Sequence, residues 1–172
     1  TAHRAGIVHR DVKPANILTS EFRRPGLADF GIASVQGHSD DDSGGVSIPW
    51  SPPEAFGSAD LDVRADIYSL AATLYHLLAG RAPFEVVGGD NSQLAMMSRI
   101  ERAPLPPIGR ADVPASLDRL LGQAMAKDLS QRPPSVEDLL RRLQGIEGEM
   151  KLAVTPLELA VSENVTRARR AD

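Results

Sequence analysis

The apolar pattern between residues 62 and 79 constrains the fold more than any other part of the chain. Apolar groups fall at Val63, Ile67, Leu70, Ala71, Leu74, Leu77 and Leu78. Steps of three, four and seven residues predict an α-helix, since one turn takes about 3.6 residues. These groups cover more than one face, so the helix should lie buried at the centre of the domain. Gly80 suits its end, and Pro83 blocks continuation. A buried helix needs other elements to surround it. Three shorter helical patterns supply them, at 91–102, 115–127 and 135–144, with a stiff Pro-rich connector at 104–114. Ser116 stands near the start of the 115–127 pattern. Ser135-Val136-Glu137-Asp138 opens the last one with side chains that can accept from free helix N–H groups.

The first part of the chain reads differently. Residues 1–8 look like the tail of a helix stopping at Gly6. Two short strands are expected at 17–20 and 27–30 around a polar turn at 21–24, with Pro25 and Gly26 poor strand formers at the second strand's entry. Residues 31–54, rich in Gly, Ser and Asp, read as a long loop able to act as a switch. From about residue 145 the chain reads as a polar linker containing Pro156 and a short basic cluster, Arg167, Arg169 and Arg170. The expected organisation is one domain over 1–145 and a tail over 146–172. The Met96-Met97 pair reads as core or docking surface.

Bulk properties narrow the function classes. At 172 residues, 42% hydrophobic and 24% charged, the chain has material for one cored domain. A net charge of −4 argues against nucleic acid or an anionic membrane as the main partner. The absence of Cys excludes disulfides and thiolate metal sites. No run of about eighteen apolar residues occurs, so no membrane segment is expected. The chain opens on Thr1 rather than Met, which fits a piece of something longer.

The chemistry concentrates in His9-Arg10-Asp11-Val12-Lys13-Pro14-Ala15-Asn16. Pro14 biases Lys13 away from helical angles, so the run should be a stiff loop. It holds a candidate base (Asp11), a cation (Lys13) and a hard-oxygen ligand (Asn16). Asp29-Phe30-Gly31 adds a second acid beside a flexible residue.

The order H-R-D-x-K-x-x-N, then D-F-G, resembles the catalytic loop and metal-binding triplet of eukaryotic-type protein kinases. Lys13 matches the serine/threonine branch, and Gly80-Arg81-Ala82-Pro83-Phe84 looks like its bacterial members. The resemblance covers about residues 1–145. It implies a mainly α fold, the large C-terminal lobe of a kinase, a helical bundle with a short β-hairpin near the catalytic loop. It implies transfer of the ATP γ-phosphate to Ser or Thr hydroxyls of a protein substrate, with Mg²⁺ or Mn²⁺, in the cytoplasm.

The resemblance also assigns roles. Asp11 would orient the hydroxyl or take its proton, and Lys13 would neutralise the moving phosphoryl group. Asn16 and Asp29 would hold the metal, and Leu18 would floor the adenine site. His9 and Phe30 would stack structurally. Arg10 marks the subclass switched by loop phosphorylation, with Ser39 and Ser43 as the expected acceptors and Ser34 a weaker candidate. Ser47 would be a structural hydroxyl against the catalytic loop. Glu54, in Pro52-Pro53-Glu54 where the family has A-P-E, would pair with Arg132. Asp66 would hold the catalytic loop's backbone. Trp50 sits where the family has an aromatic near the substrate loop, though a local packing role suits it better.

The glycine-rich loop, the strand Lys and its Glu partner are not in these residues, so the N-terminal lobe is absent and the chain alone should transfer no phosphate. The exposed interlobe face, with Leu18 and Phe30, would favour self-association. Two other classes fit less well. One is a non-catalytic binding module docking through 91–102. The other is a small-molecule phosphotransferase of kinase-like fold, which usually lacks Lys13, the P-P-E run and the Arg132 run.

Overall fold

A computed structural model describes residues 2–21, 24–29, 47–57 and 61–157. Its elements in chain order are a hairpin of β1 (Ile17–Thr19) and β2 (Pro25–Leu27), then helices α1 (Val63–Ala79), α2 (Gln93–Arg102), α3 (Ala115–Ala124) and α4 (Val136–Glu149). Short 3₁₀ turns stand at His3–Ala5, Pro14–Asn16, Ile48–Trp50, Pro53–Phe56 and Leu129–Gln131. The described residues are mainly α, as expected.

Helix α1 is the core. Ile67, Tyr68, Ala72 and Tyr75 are fully buried, so the helix is enclosed on several sides. Leu77 is the exception among its apolar positions and lies 64% exposed. The Asp62 side chain caps the start by accepting from the Arg64 N–H at 2.7 Å. At the end, Gly80 takes a left-handed conformation (φ +70°), and its N–H donates to the His76 carbonyl. That conformation is strained for any residue with a Cβ.

The other helices wrap α1 with single apolar faces. Helix α2 contributes Met96 and Ile100; α3 contributes Leu117, Leu120, Leu121 and Ala124 at one-face spacing; α4 contributes Leu139. Met96 is therefore a core residue. The Ser135 hydroxyl accepts from the Asp138 N–H at 3.1 Å, the cap that its sequence promised. Ser116 does not cap α3. Pro114 holds that position, and Ser116 donates instead to Glu149 at 2.5 Å.

Two boundaries differ from expectation. Strand β2 occupies Pro25–Leu27 rather than 27–30, pairing antiparallel with Ile17↔Leu27, Leu18↔Gly26 and Thr19↔Pro25. A two-stranded sheet has only edges, and an edge tolerates the proline's missing N–H. The strand ends before Asp29, whose φ of +55° cannot continue it. Helix α4 runs to Glu149, past the expected end at 144, because Ile146 still packs against the core. No helix among the described residues is long and apolar enough to cross a membrane.

Candidate active site

The 9–16 loop is hung from the first turn of α1. Asp66 is buried, and its carboxylate accepts from the backbone N–H groups of His9 (2.7 Å) and Arg10 (2.8 Å). A third donor is the ring Nε2 of His3, also at 2.7 Å. Charge-assisted hydrogen bonds to a buried carboxylate are strong, so these three fix the loop's entry. They also hold Arg10 in a left-handed conformation, φ +71°, at a local cost that the surrounding bonds must offset. The role of His3 was not legible: a lone His near the start of the chain carries no spacing signal toward Asp66.

His9 is buried inside this turn. The Asp11 N–H donates to its Nδ1 at 3.3 Å, and its Nε2 lies 3.0 Å from the Ala28 carbonyl. A carbonyl only accepts, so the proton is assigned to Nε2. His9 thus ties the loop to the hairpin that leads to Asp29. Phe30, Ser34, Ser39 and Ser43 fall outside the described residues, so the expected stack on His9 and the expected phosphate acceptors have no structural account here.

At the tip, three expected residues converge with a fourth. The Lys13 ammonium sits 2.8 Å from an Asp11 carboxylate oxygen and donates to the Ser47 hydroxyl, also at 2.8 Å. Asn16, buried at 6% exposure, donates from Nδ2 to the Asp11 carbonyl (2.8 Å) and carboxylate (3.1 Å). Its Oδ1 makes no hydrogen bond among the described residues. The Ala28 N–H donates to the Asn16 carbonyl at 2.8 Å, which brings the backbone of Asp29 alongside Asn16. Asp29 itself is exposed. Among the described residues no group of three or more His, Cys, Asp or Glu is placed to hold a metal ion. The residue types here are instead one amide oxygen plus carboxylates, all hard oxygen ligands of the kind a divalent cation takes. Such an ion fits these residues.

The remaining site residues are placed as follows. Leu18 is 58% and Leu27 42% exposed on the hairpin. The guanidinium of Arg10 is exposed and makes no ion pair or hydrogen bond among the described residues. Ser51, beyond Ser47, donates to the Ser47 carbonyl at 3.0 Å and stiffens that turn. Trp50 stands edge-on to His76 of α1, ring centroids 5.7 Å apart, so it is partly buried against the core rather than free.

The support beneath this turn is an ion pair. The buried Arg132 guanidinium meets both Glu54 carboxylate oxygens, at 2.6 and 2.8 Å, donates to the Arg64 carbonyl (3.1 Å) and the Ala126 carbonyl (2.8 Å), and lies over the Tyr68 ring. Burial raises the Tyr68 phenol well above its ordinary value. Lys127, five residues before Arg132, lies over the Phe84 ring at 4.2 Å, with its nitrogen closed to solvent and no hydrogen-bond partner. Burial, helped by the Arg132 cation, pushes its ammonium down to about 8. Sequence spacing gave no sign of this contact.

Comparison with known proteins matches the sequence that builds this site to one family. Residues 1–143 match the family described as the protein kinase domain. The serine/threonine-protein kinase PknK of Mycobacterium bovis is 34% identical over 98% of this chain, which is 15% of that protein. A probable serine/threonine-protein kinase, CPE1738 of Clostridium perfringens, is 32% identical over 96% of this chain and 24% of its own length. PknB of Mycolicibacterium smegmatis is 34% identical over 91% of this chain and 26% of its own length. The chain thus spans about a quarter or less of these relatives. With its family match and its bacterial serine/threonine kinase relatives, the chain belongs to the protein kinase domain family.

Proposed function

We propose that the chain is the large lobe of a protein kinase that moves the γ-phosphate of ATP to Ser or Thr hydroxyls of a protein substrate. The observation that carries this is the chain of contacts Asn16–Asp11–Lys13–Ser47, each link within hydrogen-bonding distance. Phosphoryl transfer asks for positioning and charge neutralisation more than covalent chemistry. Asp11 orients the acceptor hydroxyl and receives its proton at a carboxylate oxygen. Lys13, held between Asp11 and Ser47, presents positive charge to the transferring group. Asn16 keeps its Oδ1 available for a divalent ion, and Asp29 supplies the second ligand. Mg²⁺ or Mn²⁺, when bound, neutralises phosphate charge. Arg10, an exposed cation, is the receptor for a phosphoserine in the loop before Ser47, with Ser39 and Ser43 as its sources.

The elements that cover the ATP phosphates and grip adenine lie outside these 172 residues, so the lobe alone is inactive. Leu18 and Leu27 would then meet ATP and the smaller lobe, and without it they form a self-association face. Lys13 and the Glu54–Arg132 pair favour a protein acceptor over a small-molecule one. The cytoplasm, where ATP and reduced proteins abound, is the compartment that fits. The test is Asp11→Asn in the full-length parent. Transfer to a Ser-bearing protein should fall by roughly 10² to 10⁴-fold with little change in melting temperature. Parent-like turnover in that variant refutes the assignment.

A further inference from the structure

We propose that residues 150–157, beyond the last helix, form a strap that docks on the cavity beneath the 9–16 loop and holds that loop in place. The inference rests on the reading of that loop as catalytic. The polypeptide reverses direction at Lys151, which takes a left-handed conformation at φ +57°. The Leu152 N–H donates to the Glu147 carbonyl at 2.8 Å. Thr155 then clamps the strap to α4. Its N–H and hydroxyl donate to the two Glu147 carboxylate oxygens at 2.8 and 2.6 Å, and its carbonyl accepts from the Gln144 side chain at 2.7 Å. These bonds hold the Glu147 carboxyl below the usual range. Two residues on, Leu157 forms part of the wall of a cavity of about 640 Å³.

That cavity lies under the site. His9 and Asp66, which carry the loop, line it, together with Val12 of the loop and Leu27 of the hairpin. Leu70 of α1 and Leu140 of α4 complete a mostly apolar surface suited to a leucine. The strap therefore touches the space that both the 9–16 loop and the segment before Asp29 border. The family match ends at residue 143, whereas the PknK alignment covers 98% of the chain and so runs through the strap residues.

The experiment is amide hydrogen exchange on the full-length parent, with phosphoryl transfer measured in parallel. Leu157→Asp places a carboxylate in the apolar wall, Thr155→Ala removes the hydroxyl arm of the clamp on Glu147 without entering the cavity, and Leu157→Met keeps the contact. Exchange at residues 7–16 should rise roughly tenfold in Leu157→Asp, rise in Thr155→Ala and stay parental in Leu157→Met, while α1 amides at 71–75 remain protected. Transfer should fall in step. Should Leu157→Asp loosen the whole domain, Thr155→Ala decides. Parental exchange at 7–16 in both Leu157→Asp and Thr155→Ala overturns the strap. Faster exchange with undiminished transfer supports the strap and instead removes the catalytic reading of the loop.

Discussion

Removing Arg132 tests the architecture most directly. Its guanidinium side chain is fully buried, and Glu54 opposite it is nearly so at 17% exposure. Arg132→Ala deletes both arms of a bidentate pair and leaves the Glu54 carboxylate facing a space with no cation. It also strips donors from the Arg64 and Ala126 carbonyls. Breaking a buried pair on one side costs about 3–5 kcal/mol, and each orphaned carbonyl adds part of a further ~1–3 kcal/mol. For a chain of this size each kcal/mol lowers the melting temperature by roughly 2–4 °C. A drop of about 10 °C or more is expected by differential scanning calorimetry. Arg132→Lys keeps the charge but loses the fork, so it should fall between.

The double variant Glu54→Gln, Arg132→Met separates a charge effect from lost packing. If unpaired charge dominates, removing both partners should recover part of the loss, since an apolar replacement for a buried pair is often close to neutral. A melting temperature for Arg132→Ala within about 2 °C of the parent would refute the reasoning, because Glu54 is only 17% exposed and its orphaned carboxylate would have little solvent around it.

Two further outcomes follow from local chemistry. Lys127 has a folded value of about 8 against roughly 10.4 unfolded, so between these values the unfolded chain binds more protons and stability rises with pH. Partial exposure of the stem limits the effect to about 1 kcal/mol; Lys127→Met should lose ground to the parent by that amount from pH 8 to 10 in urea titrations, and a constant difference would refute it. Gly80→Ala meets no atom within 4 Å of its new Cβ, so its cost is the left-handed backbone alone, about 1–2 kcal/mol. Gly80→Asn should lose less, and equal melting temperatures for all three forms would show the cap to be unimportant.

The long helix and its C-terminal stop were legible because their causes are local. An apolar repeat over α1 and Gly80 behind it both act within a few residues. The same holds for the Ser135 cap. The end of α4 was not legible. The polar stretch from about 145 read as linker, and only the packing of Ile146 on a distant core keeps residues up to 149 helical. Pro25 misled for a related reason: its cost in a strand depends on whether the strand has a second neighbour, which is a property of the sheet.

The site shows the same division at finer grain. The residues proposed to do chemistry were readable because chemistry needs fixed residue types at short spacing: a carboxylate, a cation two residues on, an amide five residues on. The residues that hold them are spread across the chain. His3 and His9 reach Asp66 across 63 and 57 positions, Lys13 reaches Ser47 across 34, and Glu54 reaches Arg132 across 78. Several of these partners were assignable only through family likeness, and His3 not even so. A left-handed Arg10 makes the dependence physical. Left to local preference, that residue would relax and swing Asp11 away from Lys13, so the cluster exists only while Asp66 grips the two amides before it. The geometry proposed to be catalytic is thus a property of α1 as much as of the loop that displays it.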